Sequence, residues 1–134
     1  MLHVDPGFRA AGTLKAEYAL PEARYPIDYA VWPSAPAIHA FHARLLERVR
    51  ALPGVTDVAI AARHPLDAGF TNSFMIIGRE AESEDFPEIR TRFMTPGYLQ
   101  ALGVSLRAGR DFTDGDVATA PPVALLNEAA VARY

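Results

Sequence analysis

Apolar and polar positions alternate along residues 13–20. Leu14, Ala16, Tyr18 and Leu20 take one side, with Lys15 and Glu17 among those on the other. That period of two predicts a half-buried strand. The spacing changes after residue 34. Ile38, Phe41, Leu45, Val49 and Leu52 recur three or four apart, while His39, His42, Arg44, Glu47, Arg48 and Arg50 fall mainly on the opposite side. This predicts an amphipathic helix to Leu52, capped by Ser34 and stopped by Pro53-Gly54. Residues 55–62 read as a strand with Val58, Ile60 and Ala62 on one face. Phe74-Met75-Ile76-Ile77, within residues 73–78, is a continuous apolar run and predicts a strand buried on both faces or at an interface. Residues 88–94 alternate again, with Ile89, Thr91 and Phe93 opposite Arg90, Arg92 and Met94.

Between and around these elements lie expected loops at residues 1–12, 21–36, 63–72, 79–87 and 111–122. The loop at 79–87 is acidic, and the long one at 21–36 holds Pro21, Pro26, Pro33 and Pro36. Residues 92–112, RFMTPGYLQALGVSLRAGRDF, pack several signals into a short space. Thr95 offers a capping hydroxyl, and Pro96 suits the first helical position. Tyr98, Leu99 and Leu102 share one face of a short helix that Gly103 ends. A short strand around 104–106 and a glycine corner at 108–112 follow, with Arg110 and Asp111 expected to pair locally. Residues 123–126 predict a brief buried strand, and Asn127 caps a last helix. The order is β-α-β-β-β-α-(β)-β-α. It predicts an α+β fold of one domain over residues 1–134, with a mixed β-sheet, helices packed on one face and a split βαβ pattern.

Composition narrows the function classes. The chain has 134 residues, a net charge of −3 and half its residues hydrophobic. An acidic balance argues against general nucleic-acid binding, which needs a basic face. The absence of cysteine removes disulfides, thiolate metal sites and cysteine nucleophiles. No run reaches the roughly 18 apolar residues that span a bilayer, and the first residues lack the basic-then-apolar pattern of a secretory leader.

Candidate chemistry is sparse. His39 and His42 stand three apart on one helix, a geometry open to a metal pair, but no third ligand is near in sequence. His64, Asp67 and Ser73 are the residue types of a hydrolytic triad, without the G-x-S-x-G elbow that exposes a nucleophile. Neither the run Glu80, Glu82, Glu84, Asp85 and Glu88 nor the group Asp111, Asp114 and Asp116 fits the spacing of a calcium loop. The first is read as a solvated loop, with a basic partner surface as the alternative. Gly103, Gly109 and Gly115 form no phosphate-binding motif. Tyr25, Tyr29 and Trp32 in the proline-rich loop are read as packing it down or as a partner contact, together with Phe74 and Ile76.

Five segments carry a family resemblance in order. They are Val4-Asp5-Pro6-Gly7-Phe8-Arg9, the run from Leu45-Leu46-Glu47-Arg48-Val49 through Leu52-Pro53-Gly54-Val55, Ala61-Ala62-Arg63-His64-Pro65-Leu66, residues 92–112, and Pro122-Val123-Ala124-Leu125-Leu126-Asn127-Glu128. Together they resemble the MacB-like extracytoplasmic core domain of ABC transporter permeases, a class that includes FtsX-like permeases. The resemblance implies a module that is not an enzyme, holds no cofactor and sits between membrane helices facing the periplasm or extracellular side of a bacterial cytoplasmic membrane. It implies a second permease copy as homodimer partner. It also implies a cytoplasmic ATP-binding subunit or domain reached through the membrane helices, and a periplasmic partner protein. The family's outer region is larger, so the chain is expected to be an excised piece, cut within its last helix. The competing expectations are a stand-alone α+β ligand- or protein-binding module and a small hydrolase using His64.

Overall fold

The computed structural model describes residues 6–27 and 35–134. They divide into two units: Met1–Ala59 with Pro96–Tyr134, and Ile60–Thr95.

In the first unit the main element is helix α1, Pro36–Arg50. Pro36 takes the start of the helix, where its missing N–H costs nothing. Arg48 and Arg50 lie in the last turn, where the helix dipole favours positive charge. Ala35 occupies the cap without a side-chain bond, and the expected cap Ser34 lies outside the described residues. The apolar stripe holds for Ile38, Phe41, Leu45 and Val49, all half-buried, but its deepest member is Leu46. Leu52 falls beyond the helix and is 56% exposed. A Val55 N–H to Leu52 carbonyl bond closes the turn there, with Gly54 at φ 82°.

Helix α3, Tyr98–Leu102, ends as glycine predicts. Gly103 sits at φ 66°, its N–H bonds the Gln100 carbonyl, and the Val104 N–H reaches back to the Leu99 carbonyl at 2.9 Å. That pair of bonds is the Schellman stop. The Leu102 carbonyl accepts the Arg9 N–H at 2.7 Å, which seats the early chain on the helix end. Helix α4, Glu128–Arg133, opens as expected, with Asn127 Oδ1 accepting the Ala130 N–H at 2.8 Å. Buried apolar side chains among the described residues are Ala35, Leu46 and Leu102, all in this unit.

The second unit holds the paired strands. β1, Phe70–Asn72, runs antiparallel to β2, Ile89–Thr91, with Thr71 opposite Arg90. Beyond β2, Met94 bridges Ala61, the Phe93 carbonyl takes the Ala62 N–H, and the Thr95 N–H reaches the Ile60 carbonyl. Between these strands lies a short helix, labelled α2 (Glu80–Ser83).

The α+β class stands as helices together with an antiparallel pair, but the paired strands are fewer and shorter than expected. Among the described residues, runs 13–20, 104–106 and 123–126 pair with no strand. Leu14 is 97% exposed and Leu126 63%. Alternation alone does not make a strand, because the ladder needs a neighbour. Run 55–62 contributes one bridge, and run 73–78 is not a strand, since Ile76 and Arg79 close a turn with Gly78 at φ 87°. β1 instead falls at the end of the expected loop 63–72, and the acidic loop 79–87 contains α2. The cap expected at Thr95 is also displaced. Its hydroxyl accepts the Ile60 N–H at 2.9 Å, and Gly97 at φ 80° stands at the helix start instead.

Candidate functional site

In the first unit, the Phe41 ring projects from α1 and gathers two tyrosines. Tyr18 and Tyr25 each lie 5.6 Å from it, at 54° and 65°. Such tilted and edge-on contacts match the charge distribution of aromatic rings. His42, next along the helix, meets the Tyr18 ring at 6.1 Å and 72°. The Arg24 guanidinium stands 5.7 Å from the Tyr25 ring centre, a cation–π contact. Burial raises the Tyr18 phenol's pKa. Burial first, and the neighbouring His39 second, lower that of His42.

Beside this cluster a concavity of about 440 Å³ is lined by Leu20, Glu22, Tyr25, Ile27 and Ile38. A smaller one of about 130 Å³ lies between Phe41, Leu45, Arg44 and Arg48. Tyr25 is thus a packed aromatic at the rim of this hollow, whose lining mixes apolar side chains with Glu22. Tyr29 and Trp32 lie outside the described residues. The sequence singled out Tyr25 by its proline-rich setting. Tyr18 and Phe41, read as members of a strand and a helix, carried no signal that they would meet across the chain.

Phe74 and Ile76 belong to the second unit, and both are half-buried. Phe74 stacks on Phe86 at 5.5 Å and 26°. The Ile76 N–H donates to Ser83 Oγ at 3.0 Å, and that hydroxyl donates to the Arg79 carbonyl at 2.8 Å. Their neighbours face water instead: Met75 is 61% exposed and Ile77 91%. The alternate pair therefore offers the apolar surface, while Phe74 and Ile76 hold it in place.

The acidic run is partly spent internally. Glu80 accepts the Gly78 N–H at 2.7 Å, Glu82 pairs with Arg79 at 2.5 Å, and Glu88 accepts the Thr71 hydroxyl. These bonds lower the carboxyl pKa of Glu80 and Glu82.

His64 and Asp67 do come together, but as a loop closure. The His64 N–H donates to Asp67 Oδ2 at 3.1 Å, and the Asp67 N–H returns to the His64 carbonyl at 3.0 Å. His64 Nδ1 accepts the Leu66 N–H at 3.3 Å. In a Ser-His-Asp triad that nitrogen donates to the carboxylate, whereas here it accepts a backbone N–H and orients the loop. Arg92 fastens the same loop, donating to the His64 carbonyl at 2.8 Å and the Asp67 carbonyl at 2.6 Å.

Compared with family models, curated proteins and solved structures, the chain matches none. Among the described residues no group of three or more His, Asp or Glu side chains converges as a metal site would require. Arg110 pairs with Asp116, where a pair with Asp111 was expected. Its two terminal nitrogens lie 2.8 and 2.7 Å from the Asp116 carboxylate. Asp111 instead accepts the Phe112 N–H at 2.7 Å. Thr113 adds its N–H to Asp116, and the Asp116 carboxyl is held well below the usual carboxylate range, first by Arg110 and then by that N–H. The first unit therefore supplies two hollows of mixed polar and apolar lining, and the second an exposed apolar pair, Met75 and Ile77, beside a pinned loop.

Proposed function

We propose that this chain is an extracytoplasmic domain of a MacB-like ABC transporter permease, carrying ATP-driven movement outward to a substrate or a periplasmic partner. The supporting observation is how four of the five resemblance segments meet. Arg9, in the first, is bonded to the end of helix α3 within residues 92–112. The third segment is clamped by Arg92 through the His64 carbonyl. The last is joined by an Arg107–Glu128 ion pair at 3.1 Å. Segments that resemble one family in order are thus also contact partners. No helix among the described residues is long and apolar enough to cross a membrane. On this reading the spanning helices belong to the parent chain.

The domain acts as a stiff lever with a contact face. It works beside a second permease copy and is driven by a cytoplasmic ATP-binding subunit or domain. The extended runs 13–20, 55–62 and 123–126 are strands of a split βαβ sheet, whose ladders complete with the rest of the larger outer region. The exposed Leu14 and Leu126 support that idea, since a neighbour that covers them gains the apolar burial. A stand-alone binding module is the second reading, favoured by the hollow beside Tyr25.

Reading the full encoding frame tests this. An apolar helix of about 20 residues shortly before Val4, with three more beyond the domain, is the expected result. A parent chain without spanning helices overturns the permease reading and leaves the binding module.

A further inference from the structure

Residues 13–20 carry a pattern that is complementary to itself. The run follows a turn in which the Thr13 N–H bonds the Ala10 carbonyl. Lys15 and Glu17 meet at 2.6 Å, as side chains two apart on one face of an extended chain do. The other face meets α1: Tyr18 rests on Phe41, while Leu20 and Ile38 line one hollow. In an extended chain the backbone groups of Leu14, Ala16 and Tyr18 share one edge. Among the described residues none of these N–H and C=O groups is hydrogen-bonded. An edge of this kind is a template for another strand. Its apolar side chains are also uncovered, with Leu14 97% and Tyr18 46% exposed.

We propose that the strand taken up here is the same run of a second copy, paired antiparallel about a twofold axis at Ala16. In that register Leu14 of each copy lies opposite Tyr18 of the other, and each Lys15 lies opposite a Glu17. Two opposite-charge cross-strand pairs form, and with the pair already present in each copy the four charges alternate in sign. The register is specific. Sliding one strand by two residues sets Lys15 against Lys15 or Glu17 against Glu17. Sliding it by one sets the apolar face against the charged one. Parallel pairing in register stacks like charges. The hydrogen-bonded pairs are Leu14 with Tyr18 and Ala16 with Ala16, which leaves the Thr13 N–H to its turn. Leu14 is covered by a tyrosine ring whose own position is fixed by Phe41. A two-fold contact of this kind closes on itself and stops at a dimer. The opposite edge of the run stays available to the sheet proposed above, and the pairing does not rest on the permease reading.

Sedimentation and amide exchange of the full 134-residue chain test the pairing. The expected result is a concentration-dependent dimer, in which exchange slows at the Leu14, Ala16 and Tyr18 amides and not at those of Lys15 and Glu17. Lys15→Glu and Glu17→Lys each set like charges opposite one another, and each should weaken the dimer about tenfold or more. An equimolar mixture of the two variants restores both opposite-charge pairs and should regain most of that affinity. A chain that stays monomeric at the concentrations NMR uses overturns the proposal. So does a dimer indifferent to either reversal, or a mixture as weak as its components. If a variant does not fold, the parent chain decides, because a dimer without alternating protection over residues 14–18 overturns the proposal equally. Spanning helices in the encoding frame judge the permease reading separately, so either can fail alone.

Discussion

Phe41 and Arg92 hold irregular chain in place by opposite means. Around Phe41, segments before the helix are gathered by ring contacts at 5.6 Å that supply area and few directions. Around Arg92, the loop 63–69 is held by two directed bonds to the carbonyls of His64 and Asp67. The first fastening depends on removing apolar surface from water, and the second on a planar fork meeting two fixed acceptors. The difference teaches where each can sit. Rings tolerate a chain whose backbone is otherwise free, whereas the fork needs carbonyls already placed by the His64–Asp67 turn.

Phe41→Ala is the heaviest blow to this comparison. It deletes a half-buried ring and two aromatic contacts, and should cost the first unit about 2–3 kcal/mol. Denaturant unfolding measures the loss, and NMR should show Tyr18 and Tyr25 both shifting toward free-tyrosine values. If only one tyrosine moves, Phe41 is not their shared support.

Arg92→Lys comes next. A lysine ammonium cannot span both carbonyls, so about 1–2 kcal/mol should go with the lost charged hydrogen bonds. The damage should stay local. Hydrogen exchange should quicken at the Asp67 amide, while the β1–β2 pairing keeps its protection. Equal loosening of both would mean that Arg92 supports the strands and not merely the loop.

These two residues also show what the sequence could and could not tell. The helical period placed Phe41 on the apolar stripe of α1, and the glycine stop of α3 and the Asn127 cap were legible because their bonds are local. Leu46, the buried member of α1, escaped a stripe drawn through Leu45 alone. The alternation over 88–94 breaks at Arg92, which stays half-buried beside half-buried Thr91 because its partners are carbonyls in a distant loop. Long-range partners of this kind leave no mark in spacing. The expected strands failed for the same reason, since a run such as 13–20 states its own pattern and not whether a neighbour will pair with it. Of the candidate contact residues, Tyr25 was legible as an aromatic in a proline-rich loop, but the ring it packs on was not.

Gly103→Ala probes a third fastening, made by backbone. The glycine sits at φ 66°, and an added methyl would meet the Arg9 Cβ at 3.2 Å. Left-handed strain alone should cost about 1 kcal/mol. The mutant should lose protection at the Arg9 amide, which bonds the Leu102 carbonyl. Unchanged exchange at Arg9 would show that the early chain is held by something other than the helix end.

The Arg110–Asp116 corner separates charge from geometry. Both arginines use forks, but Arg92 meets neutral carbonyls and Arg110 meets a carboxylate. Acid should therefore tell them apart. The Asp116 carboxyl lies well below its ordinary 3.8 in the folded chain, first through Arg110 and then through the Thr113 N–H. A carboxyl lowered by folding adds stability that is complete above its unfolded value and fades as pH falls through the folded one. The loss should begin near pH 4 and continue downward, whereas the two carbonyl acceptors of Arg92 do not titrate. At neutral pH, Asp116→Asn should have the smallest effect of the four, since Arg110 is largely exposed and solvent screens the pair. Its signature is a shallower fall in stability between about pH 4 and about pH 2 than in the parent chain. Parallel acid curves for the two proteins would mean that the corner is held by the Asp116–Thr113 turn alone, with the guanidinium as a bystander.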